Sequence, residues 1–431
     1  MKKISFFLII CFIIFPFTLY AEFIYAKYGF EEIHFGDEYN VHEEVRFDNV
    51  HENLNNDVNN NGNSPAKKPF QIRDRGFEIG IFVNANVANN YLSIEQIFQE
   101  TIELNLDNLA NGFNINLGIG VAPLYFRYNS RKGWGFGLST VVDASGILGA
   151  SGKLLSLDEA TDEKSDLSGA LFASVGIDTF FKIKSLKVRL RPAMYYTLAY
   201  IKPDLSYTNN NSAFGVNYDI RIYEAFSLDG FPDNFLDNFK LDASPGFDVS
   251  FGLEFPFPYF DIGLDIINIP LLSSSLSKYT QYSGSMGNDE LEGLSLGDFF
   301  SSFKTDNKSG SGEETVNIDR PFKAFLWVNW RPFKGNPLFT ITPLVGFSIN
   351  QLYVEPFSME GGLNVCINLG NIFIVKAGVN YMDRLWVNSL NLALNIRVIE
   401  VDVGVDIRSQ EFAESWKGGG IGVNVGLKFG W

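Results

Sequence analysis

The end of this chain alternates without a break. Ile421, Val423, Val425, Leu427, Phe429 and Trp431 stand against Gly420, Gly422, Asn424, Gly426, Lys428 and Gly430. A period of two places one set on each face of a β-strand. One face is wholly apolar and ends in aromatics, while the other is small or polar. Such a strand separates either a soluble core from water or lipid from a polar lumen.

The pattern recurs through most of the sequence. It begins after Gly76, where Phe77, Ile79, Ile81, Val83 and Ala85 alternate with Glu78, Gly80, Phe82, Asn84 and Asn86. Further strands are predicted near 113–121, 134–142, 171–177, 187–191, 214–222, 247–255, 260–266, 322–331, 339–349, 363–369, 372–381, 386–398 and 399–408. Ile399, Val401, Val403, Val405 and Ile407 face Glu400, Asp402, Gly404, Asp406 and Arg408, so one face wants water and the other an apolar medium. Gly370-Asn371 is a tight-turn signal between two strands. The count is about 14, with 12 to 16 defensible. A soluble β-sandwich or propeller is the competing reading.

Composition separates these. The chain is 46% hydrophobic and 15% aromatic, with 40 glycines. Beyond the first twenty residues no run of about 18 apolar residues occurs, which excludes helical spanning. Barrels spread hydrophobicity over alternate positions, as here. The net charge of −16 argues against a nucleic-acid partner, which requires a basic footprint.

At the N-terminus, Met1-Lys2-Lys3 precedes an apolar run from Ile4 to Tyr20, a secretory signal pattern with cleavage expected after Ala21. An uncleaved anchor is the alternative. Lipidation at Cys11 is rejected, because Ile9 and Ile10 stand where small residues are wanted. Cleavage leaves Cys366 alone, so neither an intramolecular disulfide nor a cysteine metal cluster is expected. Residues 22–75 read as a polar, Asn-rich arm. It holds all three histidines, His34, His42 and His51, at spacings that match no compact ligand pattern, so no metal is expected.

Two segments depart from alternation. From Ser93 to Ala110, Ile94, Ile97, Phe98, Ile102, Leu106 and Leu109 recur at helical steps. This predicts a short amphipathic helix, either a packed connector or a plug in the lumen. Residues 273–314 are Ser/Gly-rich and read as a long surface loop with a helical patch near 291–303. The barrel is therefore expected over 76–431.

Asn424, Gly426, Phe429 and Trp431 fall in the order polar, glycine, aromatic, terminal aromatic. This resembles the terminal-strand signal by which bacterial outer-membrane barrels are recognised, and implies the barrel-assembly machinery as a partner. Further resemblance lies in Asp107-Asn108-Leu109-Ala110-Asn111-Gly112-Phe113, Arg320-Pro321-Phe322-Lys323-Ala324-Phe325-Leu326-Trp327, Trp330-Arg331-Pro332-Phe333 and Asp383-Arg384-Leu385-Trp386. With the closing Gly-Leu-Lys-Phe-Gly-Trp, these are similar to FadL-like outer-membrane proteins of spirochaetes. The resemblance covers 76–431 and implies an all-β transmembrane antiparallel barrel in the bacterial outer membrane. Its implied cargo is long-chain fatty acids or other hydrophobic nutrients, with outer-membrane lipids around it. One departure is that family transporters carry an N-terminal Asn-Pro-Ala hatch motif, whereas Asn63-Ser64-Pro65-Ala66 is one residue longer.

Moving an apolar chain with a charged end requires an apolar pocket and a few basic groups. Lys187, Arg189 and Arg191 form a basic ladder on one inward strand face and are the candidate carboxylate-facing residues. The alternative is that they pair with inward acids such as Asp248, Glu254, Asp261 and Asp265. Aromatics assigned to the other face (Tyr196, Tyr200, Phe251, Phe255, Trp386, Trp431) are expected in interface girdles. No catalytic residue is expected: the histidines lie outside the strands, and Gly293-Leu294-Ser295-Leu296-Gly297 lacks the strand–turn–helix setting of a nucleophile elbow. No cofactor is expected either. A general diffusion porin or a structural surface protein is the alternative function.

Overall fold

The computed structural model describes residues 76–89, 113–130, 133–150, 161–164, 167–210, 213–225, 242–288, 304–333, 338–353, 355–396, 398–410, 412–416 and 419–430. The signal segment, the N-terminal arm, the expected helix at 93–110, the patch at 291–303 and Trp431 lie outside them.

Strands dominate because alternation is nearly continuous. They are β1 (Phe77–Asn89), β2 (Phe113–Asn129), β3 (Trp134–Ala150), β4 (Thr161–Lys164), β5 (Leu167–Ile183), β6 (Leu186–Asn210) and β7 (Ala213–Glu224). Then follow β8 (Ala243–Ser244), β9 (Gly246–Pro256), β10 (Phe260–Leu272), β11 (Ser274–Asn288), β12 (Lys304–Ile318) and β13 (Phe322–Trp330). The last are β14 (Phe339–Ile349), β15 (Phe357–Leu369), β16 (Phe373–Met382), β17 (Leu385–Ile396), β18 (Ile399–Ser409) and β19 (Gly420–Gly430). One helical turn, α1 (Phe412–Ser415), precedes β19.

Several segments are successive parts of one stave of the wall. β4 with β5, β7 with β8 and β9, β10 with β11, and β12 with β13 each run in one direction, which leaves 14 antiparallel staves. The barrel closes where β19 pairs β1, Glu78 opposite Gly430 and Ala88 opposite Gly420. The expected strand count is therefore met.

Connections of two to four residues follow β2, β5, β9, β15 and β17 at one end of the barrel, here the turn end. At Gly370-Asn371 both residues have positive φ, 64° and 58°, as a tight hairpin turn demands. At the opposite, loop end, Asp383 and Arg384 adopt φ of 49° and 65° without glycine. That conformation is unfavourable for ordinary residues. It is held by Tyr353, whose hydroxyl donates to the Asp383 carbonyl at 2.9 Å and whose ring lies 4.5 Å below the Arg384 guanidinium.

The two faces of the wall differ as the sequence predicts. Ile79, Ile81 and Val83 on β1, Val401, Val403 and Val405 on β18, and Ile421, Val423 and Val425 on β19 are exposed outwards. Asn84, Asn86, Asp406 and Arg408 are buried on the inner side.

Two readings change. Residues 274–288 and 304–318 are not loop but a paired hairpin, Ser274 opposite Ile318 and Gly287 opposite Lys304. Their Ser/Gly-rich sequence lacks the apolar beat, so no alternation marked them. Together with the upper part of β6 and β7 they raise one side of the wall above the rest. Tyr200, expected outside, packs against the inner cluster instead. A register shift between Leu171 and Phe172 leaves Leu198 without a partner on β5, and this reverses the facing of β6 from Ala199 to Lys202.

Candidate functional site: the inner wall of the barrel

The inner wall is layered along the barrel axis. Near the turn end stands the predicted basic ladder. Lys187 pairs with Glu254 at 2.6 Å, on the neighbouring stave. Arg189 donates from Nε and Nη2 to Asp178 Oδ1 at 3.0 and 2.7 Å. Arg191 donates to Ser139 Oγ at 3.0 Å, with its Nε 3.8 Å from Asp178 Oδ2. All three therefore face inwards, and all three stand beside carboxylates of the wall.

Above them Arg320 reaches in from the junction of β12 and β13. It holds Asp248 with Nε and Nη2, both at 2.8 Å, and donates to Ser174 Oγ at 3.1 Å. Its guanidinium lies 5.2 Å from the Tyr195 ring centre. Arginine and aspartate are both nearly fully buried. Such a pair is retained only when its hydrogen bonds are completed, as they are here.

Further round the wall, Arg331 meets Asp261 at 2.5 Å and Lys323 lies between Glu360 and Asp383 at 3.3 and 2.8 Å. Trp327 donates its indole N–H to Asp265 at 2.7 Å. The indole lies flat over Gly263, where any Cβ would occupy the ring's place. Here glycine lets a large neighbour lie along the wall rather than across the lumen.

The staves from β15 to β2 are lined differently. Asn364 and Asn380 exchange amide hydrogen bonds, and Asn424 donates to Asn391 at 2.9 Å above Gly404. Asn424 is thus an inner-wall residue, as are Gly426 and Lys428, while Phe429 is exposed outwards.

At the loop end the inner face turns apolar. Ile147, Phe172, Tyr195, Tyr223, Leu276, Ile318 and Leu352 form one buried cluster, with Tyr200 and Tyr279 packed at its margin. Directly above it Glu314 bridges Lys202, at 3.2 Å, and Arg221. Arg221 also lies over the Tyr279 ring at 5.2 Å. Arg221, Lys202 and Glu314 are 29%, 43% and 40% exposed, whereas the side chains of Arg191 and Asp178 are 6% and 9% exposed. An incoming anion can reach the first group far more easily.

Sequence reasoning did not single out Lys202 and Arg221. They are direct register partners on β6 and β7, yet nineteen positions apart in sequence. Arg221 falls in the strand predicted at 214–222, but no sequence signal pairs it with Lys202 or brings Glu314 across β11. Among the described residues no cluster of three or more histidine, cysteine or acidic side chains could hold a metal ion. Gly293 to Gly297 lies outside the described residues.

The sequence matches no family model and no curated protein. Solved structures of similar fold include the P. putida toluene transporter TodX, at 9% identity over 83% of this chain and 90% of that chain, TM-score 0.47. A Pseudomonas aeruginosa FadL homologue is similar at 11% identity over 83% and 90%, TM-score 0.43. So is the CymD monoaromatic hydrocarbon channel, at 11% identity over 83% and 89%, TM-score 0.45. The fold rests on the strand pairing itself.

Proposed function

We propose that this protein is an outer-membrane barrel for uptake of hydrophobic nutrients, with amphiphiles such as long-chain fatty acids among its cargo. The observation that carries the reading is the tyrosine-rich apolar cluster on the inner wall, roofed by Lys202, Arg221 and Glu314. An acyl tail would exchange against the cluster while its carboxylate replaced Glu314 at the two cations. An aqueous pore has no use for an apolar layer at its mouth.

The outward face supports a membrane setting, because a closed barrel leaves no unpaired strand edge within lipid. Fifteen residues of tilted strand separate Lys187 from Lys202, about 35 Å along the axis. The apolar band of such barrels is about 25 Å tall, so Lys202 and Arg221 stand outside it. Lys187, Arg189 and Arg191 form a second basic station deeper in the same wall. A carboxylate would have to displace Asp178 or Glu254 to use it. Asn424, Gly426, Phe429 and Trp431 serve as the assembly signal in this reading.

A second reading, a diffusion porin, is favoured by the Asn- and Gly-lined side of the wall. Conductance of the refolded protein in a planar bilayer separates the two. The transport reading expects little steady current and saturable oleate binding, weakened about tenfold or more by Arg221→Glu, the loss of a charge-assisted hydrogen bond. A large current indifferent to oleate would overturn it.

A further inference from the structure

Outside the barrel, β17 presents a row of Trp386, Asn388, Leu390, Leu392, Leu394 and Ile396. Five of these suit an apolar medium. Asn388 does not, yet it is only 7% exposed. The segment after β18 folds down over the outer wall and covers it. Asn388 Nδ2 donates to Ser415 Oγ at 2.8 Å, and Ser415 Oγ donates to the Phe412 carbonyl at 2.7 Å. Ser415 is itself fully buried. An amide facing hydrocarbon without a partner costs about 2–7 kcal/mol; the cover gives Asn388 Nδ2 its partner, while Oδ1 is buried without one.

In covering Asn388 the segment turns its own apolar side outwards. Phe412 and Trp416 are 49% and 55% exposed. Phe412 meets Trp386 edge-on at 4.9 Å and Trp416 edge-on at 6.3 Å, and Trp386 meets Tyr381 at 5.2 Å. Four rings thus stand in file at the loop end. Exposed Leu390, Leu392 and Leu394 follow Trp386 along the outer face of β17, and exposed Val405, Val403 and Val401 run beside them on β18.

We propose that Phe412–Trp416 is a lipid anchor, its aromatic rings seated where acyl chains meet headgroups in the leaflet at the loop end. The inference rests on the membrane reading above. Its occupant is lipid rather than protein, because the patch continues the apolar belt that this reading assigns to lipid. Trp and aromatic residues favour that boundary because one side of the ring is apolar and the indole N–H stays wet.

The test uses the full chain in phosphatidylcholine vesicles, with bromine on upper acyl carbons in one preparation and iodide in the water of another. Trp416 emission is isolated as the difference between the parent and Trp416→Phe, or Trp416→Tyr should the first variant not fold. Brominated lipid is expected to quench that emission by about half or more, and iodide to leave it nearly unchanged. Quenching by iodide alone overturns the proposal. So does protection from both quenchers, which would place protein on the patch. Trp134 and Trp330, exposed on the outer wall at the turn end, are the control. If a variant retaining only those two resists brominated lipid, the membrane reading itself fails. If they are quenched and Trp416 is not, only the anchor fails.

Discussion

Thr197 donates its backbone N–H to the hydroxyl of Ser274 at 2.9 Å, across the gap in the ladder between the fifth and sixth staves. Ser274 in turn donates to the Ser244 carbonyl at 2.8 Å. On β6, Ala199 pairs Glu224 of β7 and Tyr195 pairs Gly246 of β9, and between these two points the ladder to the sixth stave is interrupted. A single buried serine joins the fifth and seventh staves and satisfies an amide that would otherwise be orphaned.

Ser274→Ala should therefore destabilise the barrel by about 1–3 kcal/mol, the cost of leaving a buried donor unsatisfied. Hydrogen exchange should accelerate first at Thr197 and its neighbours on β6. Unchanged protection at Thr197 would mean that the seam is closed by something else.

The Arg320–Asp248 pair gives a sharper contrast. Asp248→Ala strands a buried guanidinium and should cost about 3–5 kcal/mol. The double variant Asp248→Leu, Arg320→Met removes both charges and should recover most of that loss. Urea unfolding in detergent micelles measures both; equal destabilisation by the single and double variants would count against the pairing.

Gly263 is where the wall admits the Trp327 indole. Gly263→Ala should force the ring off the wall, with a loss of about 1–3 kcal/mol from overpacking. Near-ultraviolet circular dichroism should report the change in the Trp327 environment. A neutral outcome would show that the backbone yields instead.

On the proposed membrane placement Glu314 sits outside the apolar band, and the hydrogen bond from Lys202 holds its carboxyl below the ordinary carboxylate value, with the charges of Lys202 and Arg221 acting in the same direction. Because the folded value is depressed, the bridge contributes fully above the ordinary value and is lost as pH falls through the lowered one. The raised part of the wall should thus melt at lower temperature on acidification below the ordinary carboxylate range. Glu314→Gln should flatten that dependence, and an unchanged profile in this variant would assign the titration elsewhere.

The strand pattern was legible because its cause is local. Wherever one face is apolar and the other polar, as in Ile399 to Arg408 or Ile421 to Gly430, a period of two is written residue by residue. The stretches 274–288 and 304–318 were illegible for the same reason: lacking an apolar face, they carry no beat, and only pairing with β7 and with each other makes them strands. Tyr200 was misplaced because one unpartnered residue, Leu198, inverts the facing of the chain beyond it.

Alternating strands, about fourteen of them, and the shared face of Lys187, Arg189 and Arg191 follow from residue order alone. Alternation is a property of neighbours along the chain, so it needs no tertiary knowledge. That Arg189 meets Asp178, that Glu314 reaches Lys202 and Arg221, and that Ser415 shelters Asn388 is visible in the folded barrel and nowhere earlier. Those partners lie on different strands or loops, and their distances depend on register, bulges and closure, which are fixed when the sheet assembles.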